Sequence, residues 1–206
     1  MHQHGKISEL IKYPHFLKGV IAQFFYVGAQ VCTWSYMIPY IKDYMLKSEK
    51  EAGYYLFVSL LLFGVGRFAS TALMKLFPAS KLMGIYSIIN IALVSVAVLF
   101  PGGIGGWSLI VTSFFMSLMF PTIFALGVKR IGVNTKLGGS FIIMAIVGGA
   151  VWTPITGLIS DQTKSLAIAM VVPLFAYFYI CYYAFIGSKP GGPVNFDDDQ
   201  KVIIMH

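Results

Sequence analysis

Five residues in the first apolar stretch have types and spacing that could do chemistry together: Gln23, Tyr26, Gln30, Thr33 and Trp34. At about 100° per helical residue, Gln23, Gln30 and Trp34 point within a few tens of degrees of one another, with Tyr26 and Thr33 beside them. Two carboxamides supply paired donors and acceptors, and an indole supplies a flat face. That set suits a hydroxyl-rich ligand such as a sugar. It equally suits hydrogen bonding between helices, which glutamine commonly does in membranes. On either reading the arc faces protein or a water-filled cavity, because an amide against lipid stays unsatisfied at a cost of several kcal/mol.

A weaker polar row stands in the fourth apolar stretch, where Ser113, Ser117 and Pro121 recur every fourth residue and Thr122 follows. Hydroxyls in membrane helices return readily to their own backbone, so this row alone points to packing before binding. Pro121 frees one carbonyl and favours a kink, and Pro39 sits comparably late in the first stretch. Proline-interrupted helices in corresponding places of two three-helix units point towards a transporter site. In the fifth stretch Ala145, Gly149, Thr153 and Gly157 form a small-residue face on which another helix can lie closely. Arg67, following Gly64 and Gly66, is an interface anchor or part of a gate.

The remaining chemistry is missing where an enzyme would need it. All eight acids (Glu9, Asp43, Glu49, Glu51, Asp161, Asp197, Asp198, Asp199) fall in loops, tails or span ends, and His2, His4, His15 and His206 are terminal. The apolar stretches therefore hold neither a metal-ligand cluster nor a proton relay, and no Ser or Cys has an activating base. The sequence reads as no enzyme and calls for no cofactor. Cys32 and Cys181, inside apolar runs, read as small hydrophobes.

The elements that must position these residues follow from composition. The chain has 206 residues, 57% hydrophobic and 11% charged, against about 25% charged in soluble domains. It reads as all-α and integral to a membrane, with six transmembrane helices expected at 16–41, 52–73, 82–100, 107–128, 139–159 and 166–186. Residues 1–15 read as a leader without a cleavage site, and 187–206, rich in glycine, proline and aspartate, as a flexible tail. Eleven of the fifteen Lys and Arg fall on one side of this arrangement, the side holding both termini, which the positive-inside rule makes cytoplasmic. The net charge of +7 is thus a topology signal and not a nucleic-acid footprint.

Four stretches carry a family resemblance: Ala22 to Gln30 (AQFFYVGAQ) continuing to Trp34-Ser35-Tyr36, Gly66-Arg67-Phe68, Phe115-Met116-Ser117 with Pro121 to Phe124, and Thr135-Lys136 through Gly139 to Ile142, Gly148-Gly149 and Thr153-Pro154. From about residue 20 to 186 the chain resembles the C-terminal half of a major facilitator superfamily transporter, specifically the L-fucose:proton symporter family of sugar permeases. The resemblance implies a twelve-helix protein of two six-helix halves, each built from two inverted three-helix repeats, in the inner cell membrane. A sugar, L-fucose or a related hexose, would bind near mid-membrane, and the halves would rock about it. Cavity-lining helices would be the first and fourth spans, and the third and sixth would be peripheral.

The substrate-binding positions implied here are Gln23, Tyr26, Gln30, Thr33, Trp34, Ser113, Ser117 and Phe120, with Arg67, Pro121 and Gly149 in gating or structural roles. Two departures from the family pattern are Phe120, where fucose permeases carry tyrosine, and Pro39, where a polar or basic residue precedes Tyr40. Proton-coupling carboxylates belong to the family's N-terminal half. The expected partners are therefore a sugar, protons acting through that half, the half itself or a second copy of this chain, and the lipid bilayer. A half-size dimeric carrier and a membrane subunit that transports nothing are the alternative readings.

Overall fold

Six helices long and apolar enough to cross a membrane follow one another in the computed structural model, which describes residues 7–191: Pro14–Met45, Glu49–Leu73, Ala79–Leu99, Gly103–Gly127, Gly132–Thr163 and Leu166–Gly187. They are called the first to sixth spans below. The expected leader residues His2, His4 and Lys6, and the tail with Asp197, Asp198, Asp199, Lys201 and His206, lie outside the described residues.

Helix ends differ from the apolar runs because lipid contact and helix propensity stop at different residues. The first span starts at Pro14, whose missing N–H is spare in a first turn, and runs through Pro39 to a left-handed cap at Leu46 (φ 54°). The second starts on a capping box: the Ser48 hydroxyl accepts from Glu51 N–H while the Glu51 carboxylate accepts from Ser48 N–H. The fifth extends beyond 139–159 at both ends and carries 3₁₀ turns at Gly132–Asn134 and Ala145–Val147. The fourth is broken into Gly103–Met116 and Met119–Gly127. The break lies one turn before Pro121, which has no N–H to offer the Ser117 carbonyl.

The first and fourth spans are the inner helices, with 56% of each one's most apolar window buried. The first packs against the second, fourth, fifth and sixth, and the fourth against the first, second and third. Exchanging spans one to three for four to six maps the first–fifth contact onto fourth–second, and first–sixth onto fourth–third. That is the exchange two repeats related by a pseudo-twofold axis require. Third and sixth spans also pack on each other.

Small residues let these helices meet backbone to backbone. A Cβ on Gly148 would coincide with the Phe24 carbonyl oxygen, and one on Gly149 would lie 2.9 Å from Val31 Cγ2. The expected small-residue face of the fifth span therefore lies against the first, where Tyr36 donates to the Thr153 carbonyl at 2.9 Å. Gly66 does the same for the second and fourth spans, its Cα lying over Phe114 and Ser117.

At the end of the bundle where the first span begins, Leu10, Tyr13, Phe16, Ile131 and Ile142 form a second small core. Buried His15 bridges it: Nε2 donates to the Lys129 carbonyl at 2.7 Å, while Nδ1 lies 3.2 Å from the Gly191 carbonyl and 3.3 Å from its N–H. Glu9 accepts from Asn134 Nδ2 at 3.2 Å nearby.

Candidate functional site

Trp34, on the first span, is half-buried and donates its indole N–H to Ser113 Oγ on the fourth at 3.1 Å. Ser113 in turn lies 2.5 Å from Ser59 Oγ on the second span. Three helices are thus joined at one point by side-chain hydrogen bonds. Phe63, one turn after Ser59, meets the Trp34 ring edge to face with centroids 5.1 Å apart. One turn further, the exposed Arg67 guanidinium lies 5.1 Å over the Phe63 ring. The guanidinium, in the last two turns of its span, is thus held over the face of the ring that packs against the indole.

The other first-span residues divide by whether their polar atoms are engaged. Tyr26 is fully buried, donates to the Met116 carbonyl at 3.0 Å, and faces Phe120 with ring centroids 6.3 Å apart. Thr33 is buried and returns its hydroxyl to the Ala29 carbonyl at 2.8 Å. Gln23 is fully buried, and neither its amide nitrogen nor its oxygen has a hydrogen-bond partner. Gln30, one turn before Trp34, is half-buried. On the fourth span Ser117 is buried and back-bonded to Phe114 O at 2.7 Å, Phe120 is half-buried, and Thr122 Oγ1 is buried without a partner.

The structure therefore brings Trp34 and Ser113 into contact, and Tyr26 and Phe120 into contact, on the facing surfaces of the two inner helices. It directs the hydroxyls of Thr33 and Ser117 to their own backbones. Pro121 is exposed just beyond the helix break, and Gly149 is buried against Val31. Two residues were not anticipated, Ser59 and Phe63. Their signal is present in the sequence: Ser59, Phe63 and Arg67 recur every fourth residue, the spacing of one helix face. No group of His, Cys, Asp and Glu able to hold a metal occurs among the described residues. Of the acids described, Asp43, Glu49, Glu51 and Asp161 are exposed at span ends.

Comparison with known proteins gives this arrangement a context. No protein-family model matches the chain. It is 37% identical over 186 residues to the L-fucose-proton symporter of Escherichia coli, a match covering 90% of this chain and 42% of the symporter. The glucose/galactose transporter of Brucella abortus is 34% identical, covering 86% of this chain and 43% of that protein. A crystal structure of an E. coli fucose:proton symporter variant superposes with a TM-score of 0.87 at 36% identity, over 89% of this chain and 45% of the other. A second crystal structure, of a major facilitator superfamily transporter in the outward conformation, gives a TM-score of 0.83 at 37% identity, over 85% of this chain and 42% of that one.

In sequence and in fold, the chain is a homologue of one half of these major facilitator superfamily transporters. It spans a little under half the length of the curated relatives it matches. The first and fourth spans are inner, and the chain is a multi-pass membrane protein whose relatives are transporters and not enzymes.

Proposed function

We propose that this chain acts as the C-terminal half of a secondary active transporter for a sugar, L-fucose or a related hexose, and supplies one wall of the sugar site. The observation that carries the reading is Trp34, an indole fixed by its N–H to Ser113 and by its edge to Phe63, with Gln30 one turn away on the same helix face. An immobilised ring beside a carboxamide provides stacking and paired hydrogen bonds to a hydroxylated ring. Phe120, half-buried, continues that wall, while Gln23, Tyr26, Thr33, Ser113 and Ser117 stand fully buried behind it and hold it in place, and Arg67, Pro121 and Gly149 govern its opening and packing.

Support for a partner half comes from the second and fifth spans. Only 17% and 28% of their most apolar windows are buried, against 44% for the third and sixth. Their uncovered faces carry Phe57, Leu61, Val65 and Phe68, and Met144, Val147, Val151 and Leu158. On this reading the N-terminal half covers those faces and contributes the proton-coupling carboxylates, since the carboxylates of these spans lie only at their ends. The protein lies in the inner membrane with both termini cytoplasmic, as the distribution of lysines and arginines favours.

The test is uptake of labelled L-fucose, D-galactose and D-glucose by cells carrying the chain joined to the remaining half of the E. coli symporter. Saturable uptake of one of these sugars, abolished by a protonophore, is the expected result. Uptake that is unchanged when Gln30 becomes alanine, at equal membrane abundance, overturns the site assignment. A sugar flux insensitive to the proton gradient overturns the coupling.

A further inference from the structure

We propose that Ser59 is the positioning residue for Trp34, acting through Ser113. An indole N–H only donates, so Ser113 Oγ accepts from Trp34 at 3.1 Å, and the Ser113 proton must go elsewhere. Its neighbours on the fourth span dispose of theirs locally: Ser108 donates to Gly105 O, Thr112 to Leu109 O and Ser117 to Phe114 O, at 2.6–2.7 Å. Ser113 does not. Its other partner is Ser59 Oγ, 2.5 Å away on another helix, and both serines are fully buried. Either serine can donate in the bond between them; with the Ser113 O–H donating, the chain of bonds runs from the Trp34 N–H to Ser113 and on to Ser59. Ser59 keeps the Ser113 hydroxyl off its own backbone and its lone pair towards the indole.

Removing the Ser59 hydroxyl releases Ser113 to the back-bonded geometry of its neighbours. Trp34 then loses its acceptor and its fixed ring plane. The consequence for sugar rests on the function proposed above: a platform that must be ordered at each binding event binds more weakly, while the steps after binding are untouched.

The test uses the 206-residue chain in detergent micelles with ¹⁵N-labelled tryptophan, in which Trp34, Trp107 and Trp152 give three indole resonances. Trp152 Nε1 has no partner and marks an unbonded N–H. Ser59→Ala is expected to move the Trp34 N–H resonance upfield, towards that of Trp152, and to hasten its exchange. Ser59→Thr, which keeps the hydroxyl, leaves the resonance in place. Ser87→Ala, removing a hydroxyl bonded within its own helix to Met83 O, also leaves it in place. Should Ser59→Ala not fold, Ser59→Cys keeps a weaker donor and acceptor at similar volume and gives a smaller displacement. A Trp34 resonance unmoved by Ser59→Ala, or by Ser59→Cys in its stead, but moved by Ser113→Ala overturns the proposal. In the fused transporter, Ser59→Ala should raise the KM for L-fucose about fivefold, the scale of one modest hydrogen bond, with maximal rate kept within about twofold. A displaced resonance with unchanged KM overturns the sugar-site reading of Trp34 and supports its positioning by Ser59.

Discussion

Tyr26 and Phe120 close the space between the two inner helices from opposite sides, rings 70° apart in tilt and 6.3 Å apart at their centroids. The Tyr26 proton is committed to the Met116 carbonyl and its ring is fully buried, so at this point the proposed wall presents the half-buried Phe120, an apolar ring without a donor. Such a wall suits a deoxygenated edge of a hexose better than a hydroxylated one, because a sugar hydroxyl facing it goes unpaired.

Phe120→Tyr adds a hydroxyl at this point, and with it a partner for a hexose hydroxyl. In competition assays the substitution should lower the preference for L-fucose over L-galactose, which differ only in the C6 hydroxyl, about three- to tenfold, the value of one hydrogen bond. A preference that stays put removes Phe120 from the wall.

Gln23 yields a prediction of opposite signs. Both atoms of its amide are buried and unpartnered, an arrangement that costs about 1–3 kcal/mol. Gln23→Leu, close in volume, should raise the melting temperature of the chain in detergent and lower sugar uptake in the fused transporter at least about tenfold. Functional sites keep such costs because selection acts on activity. A stabilised variant that transports normally marks Gln23 as a packing defect. A destabilised one shows that its amide has a partner within the bundle.

The fold was largely legible because apolar runs separated by charge carry most of the information about a membrane helix. Six spans and two inner helices could be read from residue types. What escaped was set by tertiary geometry. Helices such as Pro14–Met45 outrun their apolar stretches, since nothing in Lys42, Asp43 or Tyr44 stops a helix. Of the polar stripe, the facing of Tyr26 and Trp34 followed from periodicity, but the engagement of Thr33 and Ser117 with their own backbones depends on local rotamers. Ser59 and Phe63 stood in plain view at helical spacing with Arg67. That spacing marks a helix face, but which helix it meets shows only when Ser113 of the fourth span supplies the partner of Ser59.

The first–fifth helix contact should be intolerant of a single methyl group. At Gly148 a Cβ meets the Phe24 carbonyl, which belongs to backbone and cannot swing aside. Gly148→Ala is expected to cost about 1–3 kcal/mol, seen as a lowered melting temperature and loss of monodisperse protein. Gly64→Ala serves as the control. Its Cβ meets nothing within 4 Å, and alanine should stabilise that helix by about 0.5–1 kcal/mol. Equal behaviour of the two variants would mean that the spans do not pack this closely in the membrane.

The break in the fourth span is the feature most suited to motion. Between Met116 and Met119 the α-helix lapses, and Ser117 N–H makes a long bond of 3.4 Å to Phe114 O. Pro121 withholds the donor that would satisfy the Ser117 carbonyl, so the two half-helices are joined by weak bonds and can change their mutual angle at low cost. Phe120 and Ser113 lie on either side of the break, and a change in that angle alters the distance between the Tyr26–Phe120 wall and the Trp34–Ser113 junction. Pro121→Ala restores the missing N–H and should heal the helix. Amide exchange at residues 118–120 and 122 should slow, and the chain should melt at a higher temperature. In the fused transporter the maximal uptake rate should fall severalfold with little change in KM, because binding groups are retained while the change of angle that follows binding is penalised. A raised KM with unaltered maximal rate would instead place Pro121 in the shaping of the site. Kinetics identical to the parent would show that the halves move as rigid bodies, with no bending inside the fourth span.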